Sequence, residues 1–304
     1  MKKDIRNKVV LSVLGIGLLG MLSVGGYYLL RYSGSDVDAS VERVIYEGQA
    51  SDSALIYADG MTQETRIGTP AGYERVPADA GSLLAFMRNM EVLPHGNPIV
   101  TYAGDELNTH CAAVYALDIG AHDLQQCADS VIRVYSEYFW SQEEYDRIAF
   151  HLTNGELMQY TDWRDGKRLV AAGSFTKQLK LASENSSYAC FRAYLECVMH
   201  YAGTKSLYAE SETIPLSDLR PGDLLLIPGA PGHVILTVDI ATNADGETCW
   251  LFAQGFMPAQ SFHMIENDAH PDDPWYYSSE LEGTFRVGSY SFNQENIRRW
   301  QDGF

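Results

Sequence analysis

Three side chains in the second half of this 304-residue chain could together carry out nucleophilic chemistry. His233 and Gln254 interrupt apolar runs, at the entry to one predicted strand and at the exit of the next. Cys190 lies in the first turn of a predicted helix, where unpaired N–H groups and the helix dipole favour a thiolate. A thiolate, a histidine base and an amide that orients the base are the parts of a cysteine hydrolase. The sequence therefore offers Cys190, His233 and Gln254 as a catalytic set.

Each member of this set also has a purely structural interpretation. Cys190 can be a small residue that suits a helix start, and His233 can close the turn at Pro231-Gly232. Gln254 can satisfy a backbone carbonyl group at the edge of a strand. The residues alone leave both interpretations open.

Two other residues with reactive side chains are assigned to packing. Cys127 lies on the apolar stripe of the longest predicted helix, Ala121 to Trp140, which follows the i, i+3, i+4, i+7 spacing. His151 stands alone in an apolar run, where a histidine is more often a packing residue than a ligand. We therefore expect neither Cys127 nor His151 in the site.

The elements that would carry His233 and Gln254 are three short apolar runs. They are separated by Pro-Gly and by Asn-Ala-Asp-Gly, which predicts consecutive strands with a hairpin at the Asp-Gly. Cys190 would begin a helix capped by Ser186 or Ser187. A helix followed by strands indicates an α+β fold, with an antiparallel sheet in the C-terminal half. The predicted elements are strands at 99–102, 111–119, 223–227, 234–240, 249–253 and 262–265, and helices at 83–90, 121–140, 141–150, 188–203 and 293–301.

The first 31 residues predict a membrane anchor. Lys2, Lys3, Arg6 and Lys8 precede Val9 to Leu30, a segment of 22 residues without a charge. At a rise of about 1.5 Å per residue it can span a hydrocarbon core of roughly 30 Å, and the basic flank predicts an N-terminus inside the cell. A cleaved signal peptide is the alternative, although its apolar region is normally shorter. We expect a single-pass protein of a bacterial cytoplasmic membrane with its bulk outside the cytoplasm, or a secreted one if the anchor is cleaved.

The composition narrows the partners and cofactors. Asp and Glu outnumber Lys and Arg by 40 to 22, for a formal net charge of −18. Nucleic-acid binding needs clustered Lys and Arg, so nucleic acid is not an expected partner. The sequence contains no nucleotide-binding loop, haem motif or cysteine pair typical of a zinc site, so no cofactor is expected. The five cysteines are an odd number, and spacing does not reveal whether any of them pair.

Part of the second half resembles the NlpC-type cell-wall peptidases of papain-like fold. The likeness rests on a helix that ends in Ala-Gly, then PGDLLL, then GHVILTVD, then an aromatic and apolar strand. It implies Cys190 as nucleophile, His233 as base and Gln254 as orienting residue. The chain departs from these peptidases because it has no Asp-Cys-Ser-Gly tetrad, and alignment on the helix ends puts Phe191 at the nucleophile position.

A second resemblance covers the chain from Tyr73 to its end. It is to a bacterial family known only as a domain of unknown function, number 4846 (DUF4846). It rests on the segments AGSLLAFMRNM, DIGAHDLQQCADSVIRVYSEYF, FHLTNG, FRAYLECVMHYAGTKSL, PGDLLLIPGAPGHVILTVD and QGFMPAQSFHMIEN. This resemblance implies membership of that family and carries no activity with it.

These observations predict three parts of the chain. A signal-anchor occupies residues 1–31 and a polar stalk residues 32–70. An extracytoplasmic α+β domain follows at 71–304, with its papain-like or NlpC-like core at about 185–266.

Two main hypotheses for function follow. The first is a thiol hydrolase that acts on peptide or amide bonds of the cell envelope. The second is a non-catalytic NlpC-like module that binds a cell-wall peptide, glycan or protein partner, with Tyr102, Trp163, His263 and residues 254–260 as candidate contacts. A purely structural envelope component is a third, and it would lack any pocket near His233.

Overall fold

A computed structural model describes residues 54–173 and 175–300, and its centre is a nine-stranded antiparallel sheet. The three apolar runs form its middle strands, Leu224–Ile227, His233–Asn243 and Thr248–Gln254. This confirms the predicted consecutive strands. The predicted hairpin turn is also present, because the N–H of Gly246 donates to the carbonyl oxygen of Asn243.

The strands are numbered along the chain. The main sheet has the order β4-β13-β12-β11-β10-β17-β9, with β1 also paired to β11 and β14 to β12. The other strands form the two-stranded sheets β2-β3, β5-β6, β7-β8 and β15-β16. The bounds are β1 Tyr73–Arg75, β2 Ile99–Val100, β3 Glu106–Leu107, β4 Ala113–Val114, β5 Ala149–His151, β6 Leu157–Gln159, β7 Lys167–Ala172, β8 Phe175–Lys180, β9 Ser211–Thr213, β10 Leu224–Ile227, β11 His233–Asn243, β12 Thr248–Gln254, β13 His263–Met264, β14 Tyr276–Tyr277, β15 Phe285–Val287, β16 Tyr290–Phe292 and β17 Ile297–Trp300.

Six α-helices occur in the part of the chain that the structure describes. Ser82 and Ser187 cap α2 and α5, because each side chain accepts the N–H of the residue three positions later. The helix α3 packs against β11 and β12, and α5 packs against α3. The bounds are α1 Gln63–Arg66, α2 Leu83–Asn89, α3 Cys127–Ser141, α4 Tyr160–Arg164, α5 Tyr188–Met199 and α6 Thr204–Ala209.

The main sheet separates two hydrophobic cores. In β11, Val234 and Leu236 belong to the core that contains α3 and α5. Ile235 belongs to the core on the other face, which contains the hairpin β15-β16. Successive side chains of a strand point to opposite faces. His233 therefore shares the face of Ile235, under the β15-β16 hairpin.

The helix α3 begins at Cys127, six residues later than predicted. Gln126 has extended backbone angles, and its N–H donates to the Oδ2 of Asp129 at 3.1 Å. Asp123 falls in the first turn of the predicted helix 121–140, but in the structure it precedes α3 and accepts the backbone N–H of Ala259. The apolar stripe continues across this boundary, so periodicity does not show where the helix is capped.

The helix expected at 293–301 is wrong. Residues 294–296 form one 3₁₀ turn, and β17 follows it between β10 and β9. Ile297 and Trp300 are buried, each in a different one of the two hydrophobic cores. The helix expected at 141–150 is also wrong beyond Ser141, because a 3₁₀ turn and β5 take its place. In both segments, pairing with other strands of the chain determines the secondary structure.

Residues 54–70, which were assigned to the stalk, pack against the domain. Ile67 is fully buried, and Gln63 donates to the carbonyl oxygen of Val238 in β11 at 2.9 Å. The guanidinium of Arg66 donates to the carbonyl oxygen of Gly60. Backbone carbonyl groups thus satisfy the polar side chains of this segment, and the folded region begins before residue 71.

The predicted anchor at residues 1–31 lies outside the described residues. Within residues 54–173 and 175–300, no helix combines the length and the hydropathy needed to cross a bilayer. The structure confirms a mixed α/β fold with a large antiparallel sheet. The finer assignment to a papain-like or NlpC-like fold stays a prediction.

Candidate functional site

Three polar side chains form a hydrogen-bonded row at one end of the main sheet. The Nε2 of His233 lies 2.8 Å from the Oε1 of Gln254, and the Nε2 of Gln254 lies 3.2 Å from the Nε2 of His263. The Nδ1 of His263 lies 2.9 Å from the carbonyl oxygen of Ser261. Their strands β11, β12 and β13 are neighbours in the sheet. The structure therefore brings His233 and Gln254 together, and it adds His263 behind them.

Tight backbone approaches flank two members of this row, His233 and Gln254. At Gly232, immediately before His233, an added Cβ would lie 2.3 Å from the Oγ1 of Thr204. At Gly255, immediately after Gln254, an added Cβ would lie 2.1 Å from the Oγ of Ser130 in α3. Only glycine fits such spaces without displacing a neighbour. The loop before β11 and the end of β12 are thereby held in place.

The hairpin β15-β16 covers the row. The ring of Tyr290 stacks on the imidazole of His233 with 3.9 Å between centroids, and Phe256 contacts the same imidazole at 5.2 Å. Gly288, in the hairpin turn, lies against the amide of Gln254. His233 is 2% exposed and Gln254 8% exposed. Any ligand could therefore reach the imidazole only if the hairpin moved.

Burial dominates the electrostatics of both histidines. It lowers the pKa of His233 to about 4, against a smaller opposite effect of the hydrogen bond with Gln254. It also lowers the pKa of His263 to about 4. Both imidazoles are therefore neutral at pH 7, and each can accept a proton.

Cys190 lies in a different cluster, among aromatic rings at the start of α5. It is 6% exposed, its N–H is capped by Ser187, and its charge would act on the hydroxyl of Tyr160. The adjacent Phe191 stacks on Trp140 at 4.4 Å. Trp140 is at the far end of α3 from Cys127, about 20 Å along the axis at a rise of about 1.5 Å per residue.

Cys127 is the cysteine that lies near the row of His233, Gln254 and His263. It is the first residue of α3, and the backbone N–H of Val234, next to His233, acts on its sulfur. A charge on Cys127 would also raise the pKa of Tyr290, the residue stacked on His233. The pairing between β11 and β12 ends at Leu236 and Ala253, so the sulfur lies where the two strands separate. The core position predicted for Cys127 is correct, but it is also a helix start beside His233.

The thiol of Cys127 is in its neutral form in this arrangement. Burial raises its pKa, the N–H groups of Val234, Ala128 and Cys127 itself lower it, and Asp129 raises it. Burial also raises the pKa of Asp129 to about 8, and its Oδ1 has no hydrogen-bond partner. No hydrogen bond joins Cys127 to His233 among the described residues. Catalytic contacts are often long before substrate binds.

Sequence reasoning missed Asp129 and Tyr290 as members of this region, assigned Cys127 to packing, and named His263 only as a candidate contact of the binding hypothesis. The available signal was Gln126-Cys-Ala-Asp129, in which an acidic residue three positions after a polar one is the pattern of a helix N-terminus. It would have placed Cys127 at the first helical position. Tyr290 had no such signal, because its stack on His233 depends on a hairpin folding over the sheet.

The other candidate contacts are dispersed. Tyr102 is 37% exposed, and its N–H donates to the carbonyl oxygen of Ala259 beside the segment after Gln254. Trp163 is buried under the guanidinium of Arg168, near α5. His263 is the only one of the three that belongs to the row among the described residues.

The five cysteines are all described and none is in a disulfide. Within residues 54–173 and 175–300, no group of three or more His, Cys, Asp or Glu side chains is arranged to hold a metal ion.

The sequence model of one family matches this chain. Its description reads Domain of unknown function (4846), and the match covers residues 63–299. This is more than three quarters of the chain. No curated protein and no solved structure matches.

Proposed function

This chain belongs to the family of Domain of unknown function (4846), and we propose that it is a thiol hydrolase with Cys127 as its nucleophile. His233 is the base and Gln254 the residue that orients it. The substrate class is a peptide or amide bond of the cell envelope, and the predicted anchor at residues 1–31 would hold the enzyme there. Cys127 replaces Cys190 in the set that the sequence suggested.

One observation carries this proposal: a helix-start cysteine and a histidine–amide pair meet at the same end of one sheet. The strand β11 supplies both His233 and the Val234 N–H that acts on the Cys127 sulfur. Gly255 lets the end of β12 approach the first turn of α3. A nucleophile, a base and an orienting group on three adjoining elements are what thiol hydrolysis requires.

The reaction can be written with these residues alone. The Cys127 thiol gives its proton to the Nδ1 of His233, and the sulfur adds to the carbonyl carbon of the scissile amide. The C–N bond then breaks, and His233 returns the proton to the departing amine. Water, deprotonated by His233, attacks the thioester, and the carboxylic acid leaves as Cys127 regains its proton.

The buried environment sets the resting state of this pair. Burial raises the pKa of the Cys127 thiol and lowers that of the His233 imidazole, so both are neutral before substrate binds. A thiolate–imidazolium pair is therefore not the resting form. Proton transfer accompanies the attack on the carbonyl group, and it follows displacement of Tyr290 from the imidazole.

The test is hydrolysis of peptidoglycan-derived peptides by the full chain, followed by mass spectrometry. Cys127→Ala should lower the rate by about a thousandfold or more, because the nucleophile is lost. Cys190→Ala is the matched control and should stay within about twofold of the unsubstituted protein. Unchanged hydrolysis by Cys127→Ala, or loss confined to Cys190→Ala, would refute the proposal.

A second candidate function is binding of a wall peptide without cleavage. It is favoured by the closed state of the site, in which Tyr290 stacks on His233 and no hydrogen bond joins His233 to Cys127 among the described residues. It predicts that peptidoglycan peptides bind the full chain and the Cys127→Ala variant equally, with no product. Calorimetry and mass spectrometry on the same samples distinguish the two functions.

A further inference from the structure

We infer that His263 is a positioning residue that, through the amide of Gln254, fixes the tautomer in which His233 can accept a proton. This inference rests on the proposed function, to which it adds a fourth residue. The hydrogen bonds of His263 among the described residues are with Gln254 and Ser261, and none is with Cys127. It acts at the far end of the hydrogen-bonded row.

The argument begins at Ser261, whose carbonyl oxygen can only accept a hydrogen bond. The Nδ1 of His263, 2.9 Å away, must therefore carry the proton. A neutral imidazole has one N–H, so the Nε2 of His263 is an acceptor. The Gln254 side-chain nitrogen, 3.2 Å from it, is the donor.

The orientation of the amide then determines the proton on His233. With its nitrogen turned to His263, Gln254 presents its Oε1 to the Nε2 of His233 at 2.8 Å. An amide oxygen only accepts, so the Nε2 of His233 carries the proton. The Nδ1 of His233 keeps its lone pair and has no hydrogen-bond partner among the described residues. That nitrogen is the one that can take the proton of the thiol.

The opposite orientation of Gln254 is excluded by the same row. A half-turn of the amide would direct its oxygen at the Nε2 of His263, and two acceptors would face each other. Its nitrogen would then face His233 and force the proton onto Nδ1, which would remove the base. Because His263 is bound to Ser261 through Nδ1–H, it permits only the productive orientation.

The argument requires both rings to be neutral, and their burial ensures this. His233 and His263 are each 2% exposed. Burial lowers both pKa values to about 4, so neither ring carries a second proton at pH 7. The tautomers are therefore fixed by hydrogen bonds and not by charge.

The experiment reads the tautomers directly. The full chain is labelled with ¹⁵N-histidine, and long-range ¹H–¹⁵N correlation spectra are recorded at pH 7. The variants His233→Asn and His263→Asn assign the two signals. We expect the Nε2–H tautomer at His233 and the Nδ1–H tautomer at His263. An Nδ1–H tautomer at His233 would overturn the inference. The tautomers are measured on the unsubstituted protein, and the two variants serve only to assign its signals.

A variant tests whether His263 is the cause. In His263→Phe the amide of Gln254 loses its acceptor, so His233 should populate both tautomers. With the two tautomers about equally populated, alkylation of Cys127 by iodoacetamide should slow by about twofold, in proportion to the fraction of His233 whose Nδ1 is free of a proton. The exposed His200, changed to Phe, is the matched control and should alter neither reading. A folded His263→Phe protein with an unchanged His233 tautomer would contradict the inference.

The two proposals fail separately. Tautomers are measured without substrate, so absence of peptide hydrolysis would refute the proposed function and leave the row intact. The wrong tautomer with active hydrolysis would refute the role of His263 and leave Cys127 as nucleophile.

Discussion

Two helices of this fold begin with a buried cysteine, and the comparison between them locates the candidate chemistry. Cys127 starts α3 and is 8% exposed, and Cys190 lies in the first turn of α5 and is 6% exposed. Both can benefit from unpaired helical N–H groups. They differ in what each helix start faces. The start of α3 meets the end of the sheet that carries His233, whereas the start of α5 meets the aromatic ring of Trp140.

A position at a helix N-terminus is therefore not sufficient to make a cysteine a nucleophile. Around Cys190, the rings of Phe191, Tyr160 and Tyr188 contact one another, and no histidine is paired with an amide there among the described residues. Cys127 also belongs to a hydrophobic core, but the backbone N–H of Val234 and the carboxyl group of Asp129 act on its sulfur. Ring packing determines the structure around Cys190, and hydrogen-bond geometry determines the structure around Cys127 and His233. Substitutions should therefore affect stability in one region and reactivity in the other.

The largest expected effect is on stability at the start of α5. Phe191→Ala removes a fully buried ring that contacts Trp140, Tyr160 and Tyr188, and should cost about 3–5 kcal/mol of unfolding free energy. Cys190→Ala, at the adjacent position, is the control and should cost much less. Urea unfolding measures both. Alkylation of Cys127 in the folded fraction should not change, and a change would mean that the two regions are coupled.

The next effect is a pH dependence at the start of α3. Burial raises the pKa of Asp129 from 3.8 to about 8, so its carboxyl group is protonated in the folded chain. The stability that it contributes is present below its unfolded pKa and is lost as the pH rises to about 8. The side chain of the Asp129→Asn variant cannot ionise. The free energy of unfolding of this variant, relative to that of the unsubstituted protein, should therefore rise by up to about 1.4 kcal/mol per pH unit between about pH 5 and 7.

Urea unfolding of both proteins at pH 5, 6 and 7 tests this difference. The exposed Asp245, changed to Asn, is the control for the same substitution at the surface. A flat difference for Asp129→Asn would mean that this carboxyl group is ionised in the folded state.

A smaller effect tests the contact between α3 and β12. Gly255→Ala places a methyl group 2.1 Å from the Oγ of Ser130 and 2.7 Å from the carbonyl oxygen of Gln126, so the helix start must shift. We expect a loss of about 1–3 kcal/mol and slower alkylation of Cys127. Gly203→Ala is the control, since Gly203 has open space around it. Equal effects of the two changes would remove Gly255 from the site.

The smallest effect concerns the cover of the site. Tyr290→Ala removes the ring stacked on His233, so the imidazole becomes hydrated and its pKa should rise from about 4 toward 6.5. His263 is an internal control, because it lies deeper in the row and should keep its pKa of about 4. Histidine NMR titration measures both. If the pKa of His233 does not move, Tyr290 is not what buries it.

The parts of the fold that the sequence predicted are those that local signals determine. The strands β10, β11 and β12 are bounded by Pro-Gly and Asp-Gly turns, and the start of α5 is marked by Ser187. The pairing of His233 with Gln254 followed from those strands alone. No distant residue was needed to place them.

The parts that could not be predicted depend on contacts between distant segments. The apolar stripe of α3 extends past its cap at Gln126, so Cys127 was taken for a residue inside the helix. β17 is short, and its strand form depends on β9 and β10. The approach of Tyr290 to His233 joins residues on two separate hairpins. The candidate nucleophile of the proposed function was therefore hidden by an error of six residues in a helix boundary.

The position of β17 in the sheet determines the order in which the strands can pair during synthesis. The neighbour of β9, residues 211–213, is β17, residues 297–300, which lies between β9 and β10. During synthesis β9 emerges long before its partner, and such distant pairing is slow to form. The strands β10, β11 and β12 can assemble early around His233, whereas the border on the β9 side is completed late. A nascent chain should thus acquire the candidate site before it acquires its full resistance to proteolysis.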